Sequence, residues 1–239
     1  MKYAVDLHIH SALSPCADND MTPNNIVNMA VLKGLDVIAV TDHNSALNLR
    51  SVSLCAKKCG LLFIPGMEVE TSEEIHIVCL LPDLERMQEF HQKVQSSLPP
   101  ISNRPEIFGR QLIMDEYDNI TGEEQQMLLT ASALSADEVI EMVRGLNGAA
   151  VPAHIDRSSY SIISNLGFIP QEFDLKYLEI SKDCDAPVFR STRPELDSYR
   201  LIKSSDAHYL GDILERESML DLEELSVDAV IRHLTQKRE

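Results

Sequence analysis

Asp6-Leu7-His8-Ile9-His10, Thr41-Asp42-His43, Glu68, His76, His154-Ile155-Asp156 and Asp206-Ala207-His208 bring six of the chain's eight histidines into short motifs that interleave with carboxylates. Imidazole nitrogen and carboxylate oxygen together form the donor set of divalent transition metals. So many such groups, drawn from every part of one 239-residue chain, exceed what a single ion needs. The pattern predicts a cluster of metals and, with it, metal-assisted hydrolysis. Residues two apart on an extended segment face the same way. His8 and His10 can therefore reach one ion, and Asp206 with His208 repeats that geometry. Asp6 shares their face, and its expected role is to accept the second N–H of a ligand imidazole and so orient it.

The elements that must carry these residues follow from periodicity. Tyr3–His10 alternates as a strand, with Tyr3, Val5, Leu7 and Ile9 on one face and Ala4, Asp6, His8 and His10 on the other. A helix is expected after the cap Thr22, with Pro23 first and Gly34 past its end. Leu35–Val40 is a buried-type strand ending at Thr41-Asp42-His43, and a second helix runs from Ser45 to Cys59, closed by Gly60. Strands at Leu61–Pro65 and Ile75–Leu81 leave Glu68 between them, and Pro82–Ser97 reads as a helix. Residues 98–130, with Pro99-Pro100, Pro105 and scattered charge, break the regularity and read as an insertion, a small helical cap over a site. Ser135-Ala136-Asp137-Glu138 is a capping box. Ala149–Pro152, Tyr177–Ile180 and Leu201–Ser204 are short strands, and a last helix follows Ser226. Strands alternating with helices predict a parallel sheet, and candidate ligands at many strand ends predict an α/β barrel with its site at the C-terminal edge.

Composition sets the outer limits. One domain over 1–239 is expected, with 44% hydrophobic and 25% charged residues. The formal net charge of −17 and the lack of a Lys/Arg run argue against a duplex nucleic-acid partner, which needs a basic face. No apolar run reaches membrane-spanning length. The opening residues read as a strand instead of a signal peptide, so a cytoplasmic location is expected. The five cysteines form no CxxC pair and are expected to be free thiols. His91 and His233 are expected at the surface.

The motifs Asp6-Leu7-His8-Ile9-His10-Ser11, Thr41-Asp42-His43-Asn44, Glu68, His76, His154 and Ser205-Asp206-Ala207-His208 resemble, in order and across essentially the whole chain, the polymerase-and-histidinol-phosphatase (PHP) domain superfamily. The resemblance implies a distorted seven-stranded β/α (TIM-like) barrel whose di- or trinuclear site of Mn, Fe or Zn hydrolyses phosphoesters. It implies His8, His10, Glu68 and Asp206 around one metal, Glu68 bridging to a second held by His76 and His154, and His43 with His208 on a third. It also implies a ligand from the loop after the first strand. Where the family commonly has Ser-Asp-Gly, this chain has Ser14-Pro15-Cys16-Ala17-Asp18; Asp18 is the candidate, with Cys16 and Asp20 as alternatives. Glu68 is then the catalytic bridge, and His43 or His208 a proton donor. Gly66-Met67-Glu68-Val69-Glu70 with His76-Ile77-Val78 resembles the small phosphoesterases acting on nucleoside phosphates and oligonucleotide ends. The family often has Ala-His-Pro-Gly-Arg where this chain has Ala153-His154-Ile155-Asp156-Arg157, which leaves Arg157 as a phosphate clamp. Glu179 and Tyr160 are weaker candidates near the site. The expected substrate is a small phosphorylated molecule, a nucleotide or short oligonucleotide. Trimming of short single strands is one alternative. A metal-binding regulatory module without turnover is another, and the intact ligand set argues against it.

Overall fold

The computed structural model describes residues 1–236. Lys2–Ile9 forms β1, and Thr22 opens α1 (Pro23–Leu32) by accepting the Asn25 N–H. β2 (Val37–Val40) follows, then α2 (Leu49–Cys59), which ends on left-handed Gly60. β3 (Leu62–Glu70), β4 (His76–Leu80) and α3 (Leu84–Ser97) come next. The chain then makes α4 (Pro105–Phe108), β5 (Leu112–Met114) and β6 (Ile120–Glu123). The capping box of Ser135 and Glu138 is formed and starts α5 (Ala136–Gly145), which leads to β7 (Ala149–Pro152) and α6 (Ile162–Leu166). β8 (Tyr177–Ile180), α7 (Ala186–Ser191), β9 (Arg200–Lys203), β10 (Met219–Asp221) and α8 (Val227–Thr235) complete the order.

Six strands form one curled sheet in the order β10-β1-β2-β3-β4-β7, and β8 with β9 forms a separate parallel pair. Backbone links dock this pair at the end of the sheet where the candidate ligands lie. The Ile155 N–H donates to Glu179 O (2.9 Å), and the His10 N–H donates to Ala207 O (2.9 Å). The continuous seven-stranded sheet expected from sequence is thus divided between two sheets.

The sheet is also not parallel throughout. β1, β2 and β3 run parallel, whereas β4 runs antiparallel to both β3 and β7. The cause is the tight connection at 71–75, where the Thr71 N–H bonds to Ile75 O (2.9 Å) and Glu74 takes a φ of 58°. A turn this short can only reverse the chain, because a parallel return needs a long crossover. β3 therefore continues through Glu68, which pairs with Val78, so Glu68 lies within a strand and not between two.

Two apolar clusters hold the sheet. On one side, Ile38, Val40, Phe63, Met67 and Ile77 pack against Ile26 and Ala30 of α1, Val52 of α2, Phe90 of α3 and Val139 of α5. The other gathers Val5, Leu7, Val37, Ala39, Ile64, Val78 and Val151, with Val230, Ile231 and Leu234 of α8. His91, expected at the surface, is 3% exposed, because it falls on the buried face of α3 with Met87, Phe90 and Val94. His233 is half-buried, its ring 5.7 Å from that of Tyr177.

Residues 98–130 form a β-hairpin (β5–β6) and one short helix, where a helical cap was expected. The hairpin is stitched to α2: Asn48 donates to Leu112 O (3.0 Å) and accepts the Met114 N–H (2.9 Å), and Ser51 donates to Met114 O (2.8 Å). At Gly109 (φ 100°) a Cβ would sit 2.0 Å from Pro15 O, so only glycine lets this segment rest on the loop after β1. Among the described residues no helix is long and apolar enough to cross a membrane, and all five cysteines are free.

Candidate metal centre

Glu68 is the hub. Its carboxylate is 1% exposed and lies within a ring of imidazoles. Oε1 is 2.9 Å from His76 Nδ1, 3.2 Å from His154 Nε2 and 3.3 Å from His8 Nε2. Oε2 is 2.9 Å from His43 Nδ1 and 3.4 Å from His10 Nε2. Burial alone would raise the Glu68 carboxyl, but the His76, His8 and His43 rings outweigh it and hold it well below the usual carboxylate range. Asp206, buried beside His8 and His10, is likewise held below its ordinary value despite burial. Its Oδ1 lies 3.0 Å from His10 Nε2 and 3.3 Å from His8 Nε2.

The rings are fixed from behind. His8 Nδ1 faces Glu179 Oε1 (2.9 Å), His10 Nδ1 faces Ser14 Oγ (2.9 Å), and His208 Nδ1 faces the Asp206 carbonyl (2.8 Å). Each contact can take an N–H from Nδ1, and in the neutral ring that leaves Nε2 as the donor atom a metal would need. His8 Nε2 and His10 Nε2 then stand 3.1 Å apart. Two lone pairs that close, with carboxylate oxygens around them, fit a shared cation. His154 Nδ1, buried, has no hydrogen-bond partner, and neither has Glu68 Oε2. Burial lowers the His10 ring well below its normal value, helped by His208 and His43, so it stays in the neutral form a metal requires.

Three donor groups emerge among the described residues: His8, His10, Glu68 and Asp206; His43, Glu68 and His76; and His10, His43 and His208. In each the donor atoms lie within 4.8 Å of one another. His154 joins through Glu68 but belongs to none of them. Asp18 is not brought in. It is exposed, and its Oδ1 caps the Asp20 N–H (2.8 Å) in a local turn that directs the carboxylate back along the loop. Asp20 is exposed as well. On the same loop Cys16, also exposed as a residue, turns its Sγ to 3.1 Å from His208 Nε2. Desolvation of the sulfur would raise the thiol, but His208 and His43 lower it to about 6.

Asp6 differs from expectation. The register of β1 on β2 shifts between Asp6 and Ile9, so strict alternation fails across the motif. Asp6 accepts the backbone N–H of Ser205 (3.0 Å) and of Leu214 (3.0 Å), which ties β1 to the segment carrying Asp206. The ring-orienting work falls to Glu179, which also accepts the His154 N–H (3.2 Å), and to Ser14. Ser14 Oγ donates to Asp42 Oδ1 (2.7 Å) and accepts the His43 N–H (3.2 Å), so Asp42 sets His10 through a hydroxyl. Sequence places Glu179 near the site, but its pairing with His8 spans 171 residues and that of Ser14 with Asp42 spans 28, so neither pairing is marked locally.

A cavity of about 300 Å³ opens on the cluster, lined in part by Glu68, His76, Leu129, Arg157, Tyr160 and His208. Arg157 Nη1 is 2.6 Å from Asp206 Oδ2, and Tyr160 stacks on His76 with ring centroids 4.8 Å apart. Asp156 accepts from the Ser181 N–H (2.8 Å), anchoring the loop that presents His154 and Arg157. His154 and Asp206 take φ values of 31° and 49°, local backbone strain where two of the donors meet.

A family model of the PHP domain matches residues 6–179. The chain belongs to the PHP domain family. Every candidate ligand from His8 to His154 falls inside the PHP match, and Asp206 and His208 lie beyond it. The chain is 36% identical over 78 residues to a 5'-3' exoribonuclease of Haemophilus influenzae, covering 31% of this chain and 27% of that protein. It is 33% identical over 79 residues to a 3',5'-nucleoside bisphosphate phosphatase of Chromobacterium violaceum, covering 32% and 27%. Each of these matches therefore spans about a quarter of the relative's length. The crystal structure of the lesion-specific endonuclease PfuEndoQ from Pyrococcus furiosus shares the fold at a TM-score of 0.71 and 22% identity, over 98% of this chain and 56% of that one. An amidohydrolase from Chromobacterium violaceum with bound sulfate aligns at a TM-score of 0.58 and 20% identity, over 93% of both chains.

Proposed function

We propose that this PHP domain is a metal-dependent phosphoesterase acting on small nucleotide-type phosphoesters. The observation that carries the reading is the buried Glu68 carboxylate, shared among the rings of His8, His10, His43, His76 and His154 at the floor of an open cavity. On this reading β1, β2, β3, β4, β7, β8 and β9 act as the staves of a distorted seven-stranded barrel around the site.

Divalent ions of the Mn, Fe or Zn class, roughly two to three per chain, supply Lewis acidity for phosphoryl oxygens and a water nucleophile active at neutral pH. His8, His10, Glu68 and Asp206 would hold one, and Glu68 with His76 and His154 would hold another, while Glu179 and Ser14 keep the His8 and His10 rings aimed. Arg157, 44% exposed at the cavity, offers a guanidinium for bidentate pairing with a phosphate. Tyr160 offers an exposed aromatic ring at the same wall, suited to a nucleobase. A proton-donor role for His208 is not part of this reading, because its Nδ1 is spent on Asp206 O and its Nε2 faces Cys16.

The nucleotide preference is supported by the names of the two curated relatives, an exoribonuclease and a nucleoside bisphosphate phosphatase. The test is release of phosphate from nucleoside and sugar phosphates, and of mononucleotides from short oligonucleotides, by Mn- and Zn-loaded protein. Release from nucleotides supports the reading, and rates that climb with oligonucleotide length favour strand trimming. Bound metal without turnover on any substrate would replace the enzyme by a binding module.

A further inference from the structure

The third donor group is short of a ligand. His10 has committed Nδ1 to Ser14, and its single remaining nitrogen faces Asp206 at 3.0 Å, so it serves the first group. That leaves His43 and His208, two neutral donors, for a third ion. Cys16 completes the set. Its Sγ lies 3.1 Å from His208 Nε2, on the side of that ring away from Asp206 O. A second observation points the same way: the buried Glu68 Oε2 lies 2.9 Å from His43 Nδ1, which leaves the ring's other nitrogen for this group. The loop is held for the purpose. The Ala17 N–H bonds to Ser14 O (2.9 Å), the Asp18 N–H bonds to His208 O (2.9 Å), and Gly109 supports Pro15 from outside. These contacts put Cys16 at the tip of a turn against His208 and direct the Asp18 carboxylate elsewhere.

We propose that Cys16 is the anionic ligand of the third site and that its thiolate makes this site select zinc-class ions over manganese. Thiolate and imidazole donors prefer soft or borderline ions, whereas the carboxylate-bearing sites around Glu68 and Asp206 also suit manganese. The centre is then chemically uneven, with one sulfur-bearing position beside two oxygen-and-nitrogen ones. This rests on the phosphoesterase reading only in that both require the histidine cluster to bind metal.

The test uses the whole chain and a readout other than activity. The protein, stripped and reloaded with zinc or with manganese, is treated with iodoacetamide, and the modified cysteines are mapped by mass spectrometry. Cys59, exposed on α2, is the internal control. Zinc should suppress alkylation of Cys16 and leave Cys59 untouched, and manganese should suppress neither. The cobalt-loaded protein should show a sulfur-to-cobalt absorption band in the near ultraviolet that Cys16→Ser removes. Zinc content should fall by about one ion per chain in that variant, with circular dichroism unchanged. Equal alkylation of Cys16 with and without zinc, in protein that elemental analysis shows to hold zinc, overturns this proposal and leaves the phosphoesterase reading intact. A protein that takes up no metal overturns both.

Discussion

Glu179→Gln is the most discriminating change at the centre, because it keeps the side chain's shape and removes only its charge. Glu179 Oε1 accepts from His8 Nδ1 at 2.9 Å and from the His154 N–H at 3.2 Å, so one oxygen aims a ligand ring and pins the backbone of another ligand. A hydrogen bond to a charged acceptor contributes about 1.5–3 kcal/mol, against about 0.5–1.5 kcal/mol for a neutral one. The glutamine should thus cost about 1–1.5 kcal/mol of metal affinity at the His8 site, roughly a tenfold rise in Kd. Glu179→Ala goes further. It leaves both N–H groups buried without an acceptor, at about 1–3 kcal/mol each, so it should lower Tm as well as metal affinity. Competition with a chromogenic chelator gives the affinity, and thermal melts of the metal-free protein separate the two effects. If Glu179→Gln binds metal as tightly as the parent, Glu179 supports only the backbone of His154, and the orientation argument fails.

Glu68→Gln should abolish phosphate release and reduce bound metal, because an amide bridges two ions poorly; near-parental turnover with metal bound would move the bridge to Glu70. Arg157→Ala should lower kcat/KM by about 1.5–3 kcal/mol, roughly tenfold to a hundredfold, while metal content holds, since Arg157 competes with a cation for Asp206. Loss of metal would instead make it a support of the His154 loop. For pH, His8, His43 and His76 are raised above their ordinary value, with the carboxylates overcoming burial. In the metal-free protein their contribution is complete below the unfolded value of about 6.5 and is lost as pH rises through the raised one. Metal binding needs the same rings neutral. The Tm gained on adding zinc should therefore grow as pH rises from about 6.5 through the raised values, and a gain independent of pH would remove the histidines from the site.

Much of the centre can be read from sequence because metal ligands must be particular residue types at strand ends. His8 and His10, Glu68, and Asp206 with His208 are visible without knowing what they touch. The helix boundaries at Thr22, Gly60 and Ser135 were equally legible, since caps are local chemistry. What failed depends on contacts made across the chain. The ring-orienting role expected of Asp6 falls to Glu179, because Asp6 accepts the Ser205 and Leu214 N–H groups while a distant strand brings Glu179 to His8. Asp18 and Cys16 stand two apart on one loop, and only the fold of that loop decides which faces His208. The reversed strand β4 hides in a turn that carries no glycine, with Glu74 taking the left-handed conformation in its place.

The donors arrive at opposite ends of synthesis. His10 and Asp206 are 196 residues apart along the chain, yet His10 Nε2 and Asp206 Oδ1 lie 3.0 Å apart. At roughly 5–20 residues per second, a ribosome would deliver Asp206 about 10–40 s after His10. During that interval the nascent chain presents an incomplete set of histidines, with neither Asp206 nor His208 to close it. On the proposed reading the full donor set would exist only after the last strands dock, so metal uptake would report how much of a preparation has completed its fold.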